Sequence, residues 1–251
     1  MRTGDGYGEM LLDALEEEGE LLEIVERDDG LIMASRFGPE AYLAPYRKWP
    51  SRQRRAMRLA RGRVLDVGAG AGRVALHLQE KGREVVAIDA SPGAVETCRR
   101  RGVRDARLMR VEDVDESLGV VDTVVMYGNN LGLLGSKTRA PRLLRRLAGI
   151  TSERARILGE CSDPYATEDP EHLAYHESNR RRGRMDGQLR IRIRYRKLAT
   201  PWFDYLFVSE DELRGLLDGT GWRLARRIED GGPFYVAVIE KEPRARASRS
   251  G

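Results

Sequence analysis

The sequence predicts an α/β fold: a seven-stranded, mostly parallel sheet with helices on both faces. An N-terminal extension of a helix and a hairpin precedes it, and an α+β insertion follows the fifth strand. Three observations lead there. From residue 63 onward, short apolar runs alternate with helical stretches, the pattern of a parallel sheet covered by helices. The first run ends in a glycine-rich turn that opens a helix. Between residues 162 and 208 the alternation stops, then resumes for one helix and two strands.

The elements follow in order. Residues 8 to 27 open with a helical pattern, Met10-Leu11-Leu12 through Leu15. A hairpin signal overlaps its end: Leu22 to Val25, an Asp29-Gly30 turn, then Leu31 to Met33, because Asp-Gly between two apolar runs favours a tight hairpin turn. An aromatic segment with Tyr42, Tyr46 and Trp49 leads to a basic helix over 51–61. Five strands are read at Val64–Val67, Val85–Ile88, Ala106–Val111, Thr123–Met126 and Ala155–Gly159, with helices over 71–81, 92–101 and 137–149. The insertion contains a helix over 170–182, a Gly-rich turn and two strand-like runs. A helix over 209–218 and strands Trp222–Ile228 and Phe234–Glu240 close the pattern. This divides the chain into an extension (1–50), a main domain (51–241) that holds the insertion, and a disordered tail (242–251).

Composition narrows the function classes. A chain of 251 residues can bury one sizeable core but is short for two enzymes. No apolar run approaches the roughly 18 residues of a membrane span, and the N-terminus lacks a signal-peptide pattern. A cytoplasmic protein without a membrane partner is expected. A net charge of +4 gives no argument for nucleic acid. Cys98 and Cys161 lie far apart in no metal-ligand spacing, so two reduced thiols and no metal are expected.

The chemistry concentrates in Val64-Leu65-Asp66-Val67-Gly68-Ala69-Gly70-Ala71-Gly72-Arg73. Asp66 stands at the strand end, where its carboxylate can accept from an ammonium group or a water. The second strand ends in Asp89-Ala90-Ser91-Pro92, and an ionised carboxylate there suits the two hydroxyls of a ribose. Ser91 is placed to cap the next helix, with Pro92 at its first position. The dinucleotide fingerprint fails in one register, where Arg73 replaces the last glycine. It fits loosely in another, Gly70-x-Gly72 with Ala75. Asp66 argues against it, because a carboxylate at that turn repels a pyrophosphate.

This segment closely resembles the first motif of the class I, Rossmann-like S-adenosylmethionine-dependent methyltransferases, and the resemblance extends over roughly residues 45 to 240. It implies S-adenosyl-L-methionine as cofactor. The Asp66–Gly72 loop, with Gly68, Ala69 and Gly70, would hold the methionine part. Asp89 and Ala90 would face the ribose, and Glu112 or Asp113 the adenine, Asp113 being favoured for the amino group. The fourth strand leads into Tyr127-Gly128-Asn129-Asn130, the place where this family holds the methyl group and its acceptor. The Asn or Asp with Pro-Pro-aromatic of DNA amino-methyltransferases is missing. The Gly-Asn start looks more like small-molecule N-methyltransferases such as those of glycine. Asn129 and Asn130 can equally cap or turn the chain.

Three readings stay open in the insertion. His172 and His176 lie four apart on a helix. They can be surface residues, substrate or catalytic groups, or metal ligands, although the Glu of an H-E-x-x-H pattern is missing. Arg190, Arg192, Arg194 and Arg196 alternate with apolar residues and share one strand face, either solvated or facing an acidic substrate or partner. Tyr165, Trp202 and Tyr205 can wall a pocket or pack beneath a lid. The sequence therefore leads to an enzyme that transfers a methyl group to a nitrogen or oxygen of a small molecule. Tyr127, His172, His176 and Asp163 are candidate bases, Asn129 is a candidate catalytic group, and 162–208 is read as a lid. The alternatives are a protein or nucleic-acid methyltransferase and a non-catalytic nucleotide-binding module.

Overall fold

The computed structural model describes residues 1–16, 21–34 and 38–242. The tail expected to be disordered lies outside them from residue 243 on. The chain begins with a short strand β1 (Arg2–Thr3) and helix α1 (Gly6–Glu16). The hairpin β2 (Ile24–Arg27) and β3 (Ile32–Ala34) forms across the Asp29-Gly30 turn, with Val25 opposite Met33. Helices α2 (Pro39–Leu43) and α3 (Ser51–Met57) lead to the main sheet.

The first half of that sheet is built from β4 (Val64–Val67), α4 (Arg73–Glu80), β5 (Val85–Asp89), α5 (Pro92–Arg100) and β6 (Ala106–Leu108). The second half continues with β7 (Val121–Met126), α6 (Ala140–Gly149) and β8 (Thr151–Ser162). The insertion holds α7 (Pro170–Arg181), β9 (Gln188–Tyr195), β10 (Leu198–Ala199) and β11 (Phe203–Leu206). Helix α8 (Glu210–Leu217), β12 (Trp222–Glu229) and β13 (Phe234–Lys241) complete the chain.

The main sheet has the order β12-β13-β8-β7-β4-β5-β6. Only β13 runs against the others, pairing antiparallel with both β8 and β12. Strands β4, β5, β7 and most of β8 are buried, which is why they read as near-continuous apolar runs. Alternate residues feed two cores. Leu65, Val67, Ile88 and Met126 pack with α6 and α8, while Val64, Val85, Ala87 and Val125 pack with α3, α4 and α5. Strand order reverses beside β4, since β5 and β6 lie on one side and β7 and β8 on the other. That switch point places a crevice at the carboxyl ends of these strands.

Two strands and two helices differ in length from the expectation: the helix expected over 51–61 ends at Met57, and the one expected over 137–149 begins at Ala140. The third strand ends at Leu108, because the chain then tightens into a 3₁₀ turn at Val111–Asp113. The fifth extends from Thr151 to Ser162, held along its length by β7 and β13.

A second sheet has the order β1-β10-β9-β2-β3, with β11 on the other side of β9. It joins two segments far apart in sequence, since β2 from the N-terminal extension pairs with β9 from the insertion. Val25 faces Ile193 and Arg27 faces Ile191 across that pair, with Phe203 beside Ile191 and Tyr205 beside Leu189 on β11. On the other face, Glu26 takes a two-point contact from Arg192 at 2.8 and 2.9 Å, and Arg194 approaches at 3.4 Å. Arg196 pairs with Asp13 at 3.0 Å, and the Arg192 guanidinium also lies over Trp202. The arginine face seen in the sequence therefore includes three arginines that tie β9 to β2 and α1. Cross-strand pairs of opposite charge fix register, and a slip of one residue would turn the apolar side outward.

Helix α1 is latched onto α5. Asp5 accepts from Gly8 N at 2.9 Å, Gly93 N at 2.8 Å and the Ser91 hydroxyl. The two helices cross so closely that a Cβ on Gly93 would lie 2.6 Å from the backbone of Gly8. Gly93→Ala should therefore undock α1. Overpacking of this kind costs roughly 1–3 kcal/mol, so thermal unfolding should show a lowered midpoint, whereas an unchanged midpoint would mean the crossing has slack.

Candidate active site

A cavity of about 1250 Å³ lies between the carboxyl ends of β4, β5 and β7 and the inner face of the second sheet. Its floor begins with the turn after β4. Gly68 N and Ala69 N both donate to Ile88 O, at 2.9 and 3.1 Å, and tie the turn to the end of β5. Gly68 has φ +67°, a conformation that side-chain-bearing residues rarely adopt. Asn130 Nδ2 seals the turn by donating to Val67 O and Gly68 O.

Asp89 sets the next layer. Its Oδ2 accepts from Gly70 N and its Oδ1 from Ser91 N, both at 2.9 Å. The backbone N–H of Ala90 also bears on this carboxyl. Burial pushes the carboxyl up to about 6, while those N–H groups oppose the shift. Asp66 is 2 % exposed, and burial pushes it up further, to about 7, with the positive charge of Arg73 acting against it. It accepts one backbone N–H, from Ala75, yet its Oδ2 is buried without a hydrogen-bond partner. A buried acceptor of this kind is costly unless a ligand supplies a donor.

The turn after β7 forms the next wall. Gly128 N donates to Glu160 Oε2 at 2.7 Å, and the same oxygen accepts from Gln53 Nε2. Arg52 completes the cluster through Glu160 Oε1 at 2.8 Å and Asp230 at 2.9 Å. Asn129 follows in a left-handed conformation, φ 65°, with its Oδ1 buried and unpartnered. Tyr127 borders the cavity, but its hydroxyl donates to Gln53 O at 2.9 Å. Burial holds that hydroxyl well above the usual tyrosine range. Instead of serving as a base, it joins the end of β7 to α3.

Of the residues expected in a site, Asp66, Gly68, Ala69, Asp89, Ala90, Glu112, Tyr127, Gly128, Asn129, His172 and His176 all border this one cavity. Gly70 stands behind it as the donor to Asp89. Asp113, favoured above for an adenine, is exposed and away from the cavity, because the tight turn after β6 presents Glu112 in its place. Glu112 is itself paired with Arg139 and, at 3.4 Å, with Arg110. His176 is buried, edge-on to Tyr165, and burial lowers its pKa, so its ring is neutral near pH 7. His172 Nδ1 lies 3.3 Å from the Thr167 hydroxyl. Among the described residues, no group of three or more His, Cys, Asp or Glu could hold a metal ion.

Several cavity residues were not read from the sequence: Asp5, Tyr7, Glu23 and Tyr42 of the N-terminal extension. Glu23 is buried, and both of its oxygens lie 3.1 Å from the Tyr42 hydroxyl. Glu160, which supports the Gly128 turn, was also missed. Its one signal was a carboxylate directly after the apolar run Ile157-Leu158-Gly159.

Comparison with known proteins agrees with this geometry. Residues 64–153 match the family model of a methyltransferase domain. A crystal structure of an S-adenosylmethionine-dependent methyltransferase from Bacteroides fragilis, in complex with S-adenosyl-L-homocysteine, is 28% identical. It covers 94% of each chain at a TM-score of 0.78. The CcbJ methyltransferase of Streptomyces caelestis shares the fold at 16% identity and a TM-score of 0.58, over 78% of this chain and 100% of its own. So does the 1,6-didemethyltoxoflavin-N1-methyltransferase of Burkholderia thailandensis, at 19% and 0.50, over 76% and 78%. No curated protein matches the chain. The chain therefore carries a methyltransferase domain over residues 64–153 and has the fold of the class I S-adenosylmethionine-dependent methyltransferases.

Burying Asp66 makes a testable cost. An acid whose pKa is about 7 in the folded chain, against 3.8 in the open, destabilises the fold increasingly as pH rises from about 4 to 7. The penalty is complete above pH 7. Asp66→Asn should therefore raise the unfolding midpoint of the ligand-free protein at pH 8, by roughly 2–4 kcal/mol in stability, and change it little at pH 4. An equal effect at both values would show that Asp66 carries no buried charge.

Proposed function

We propose that the protein binds S-adenosyl-L-methionine on the cavity floor and transfers its methyl group to a small molecule beneath the second sheet. The observation that carries this reading is the pair of buried carboxylates at neighbouring strand ends beside the cavity, one of them with an oxygen that has no hydrogen-bond partner. Asp66 Oδ2 is suited to the ammonium of the methionine part, which would also draw its pKa back down. Asp89 borders the cavity beside it, where a carboxylate is suited to accept from the ribose hydroxyls. Glu112 and the backbone beside it border the place left for the base.

When bound, this cofactor supplies a methyl group on a positively charged sulfur that leaves readily. The protein's own work is then alignment and exclusion of water. The N-terminal helix and the 162–208 insertion would do the second part, since together they supply the cover of the cavity. Small-molecule sites occupy roughly 300–1,000 Å³, so a cavity of about 1250 Å³ has room for this cofactor and a second small molecule. A nucleophile with an acidic proton would need a base, and His176, buried and neutral, is the side chain suited to accept it.

Asp89→Ala should weaken binding of both S-adenosylmethionine and its demethylated product. Losing hydrogen bonds to a charged acceptor costs about 1.5–3 kcal/mol, or roughly ten- to hundredfold in affinity. Calorimetry on the folded variant checks this, and unchanged affinity would remove Asp89 from the site.

A further inference from the structure

The second sheet roofs the cavity with a row of aromatic rings. Strand β11 and the residue after it place Phe203, Tyr205 and Phe207 at alternate positions, on one face of the sheet. The ring centroids of Phe203 and Tyr205 lie 6.1 Å apart at an interplanar angle of 79°. Those of Tyr205 and Phe207 lie 5.7 Å apart at 81°. All three side chains border the cavity. Tyr205 is buried in the middle of the row, whereas Phe203 and Phe207 on either side of it are only half-buried and keep surface for a ligand to cover.

The backbone fixes this row. A Cβ on Gly132, in the turn after β7, would run into the Tyr205 ring, so the row sits directly against that turn. Phe207 N donates to Gly187 O at 2.8 Å, and a Cβ on Gly187 would run into Phe207 O. Pairing with β9 sets Phe203 opposite Ile191 and Tyr205 opposite Leu189. Rings held in place and turned by nearly a right angle to one another offer both faces and edges. An aromatic ligand packs against either, with a positive edge on a negative face, and gains beyond the area it buries. A saturated ring of the same skeleton gains by burial alone. That difference does not depend on the charge a ligand carries.

We infer that the acceptor is a flat aromatic molecule whose ring system packs on the Phe203–Tyr205–Phe207 row. This rests on the reading above, in which the cofactor lies on the cavity floor and the second molecule beneath the second sheet. Phe203 and Phe207, the two with surface left, set the preference for an aromatic ring, and Tyr205 between them holds their positions.

The test is calorimetry on protein saturated with S-adenosyl-L-homocysteine, with 2-naphthol and decahydro-2-naphthol as probes. They share a carbon skeleton and a hydroxyl, and both are uncharged at neutral pH. The saturated alcohol has the larger apolar surface, so burial alone favours it. The row of rings predicts the reverse, with 2-naphthol bound at least about fivefold tighter. Phe203→Leu with Phe207→Leu keeps an apolar wall without the two rings and should bring the ratio to about one or below. Phe207 also packs on the main core, so Phe203→Leu alone, which should at least roughly halve the ratio, decides the matter where the double variant does not fold. Equal affinities, tighter binding of the saturated alcohol, no binding of either probe below millimolar, or an unchanged ratio in these variants would each overturn the inference. Affinity for S-adenosyl-L-homocysteine is measured first. Its absence would overturn the cofactor reading as well, whereas its presence without an aromatic preference would overturn only the acceptor class.

Discussion

The carboxylate of Asp89 is the contact on which the site depends. It joins the end of β5 to the turn after β4 through Gly70 N and starts α5 through Ser91 N. The Ser91 hydroxyl then donates to Asp5, and Asp5 latches the N-terminal helix over the same crevice. One buried acid therefore shapes the floor and, through one intervening residue, the cover. The cost is electrostatic. Two carboxyls, Asp66 and Asp89, lie at the ends of adjacent strands in a setting that disfavours their charge. Such a cost persists where a ligand relieves it, and the orphaned Oδ2 of Asp66 marks where that relief would come from.

The second physical theme is that the cover is a sheet rather than a loop. Its central pairing joins β2 and β9, and β9 also carries β11. Outward charges set the register and inward apolar side chains face the cavity. A cover of this kind is stiff, so it can define the shape of an acceptor site as well as exclude water. The Glu160 cluster does similar work below. It holds α3, β8 and the Gly128 turn together around one buried carboxylate, which fixes the backbone that presents Asn129.

Much of the main sheet was legible because its signals are local. Apolar runs, the Asp66–Gly72 turn and the Ser91-Pro92 cap each state their structure within a few residues, and Ser91 does accept from Ala94 N. The second sheet was only half legible. Alternation in 189–195 announced a strand with an arginine face, but nothing local says that its partner is β2, about 165 residues earlier in the chain. Within the site, strand ends were readable and side-chain directions were not. A tight turn chose Glu112 over Asp113, and a hydrogen bond to Gln53 occupied the Tyr127 hydroxyl. Asp5 and Glu160 were missed because their roles come only from contacts made after folding.

A crystal structure of the protein with S-adenosyl-L-homocysteine tests the central claim most directly. The ammonium of the ligand is expected at Asp66 and the ribose hydroxyls at Asp89. The sulfur is expected to point toward the space between the turn after β7 and the apolar roof. A ligand bound elsewhere, or bound with Asp66 Oδ2 still lacking a donor, would contradict it.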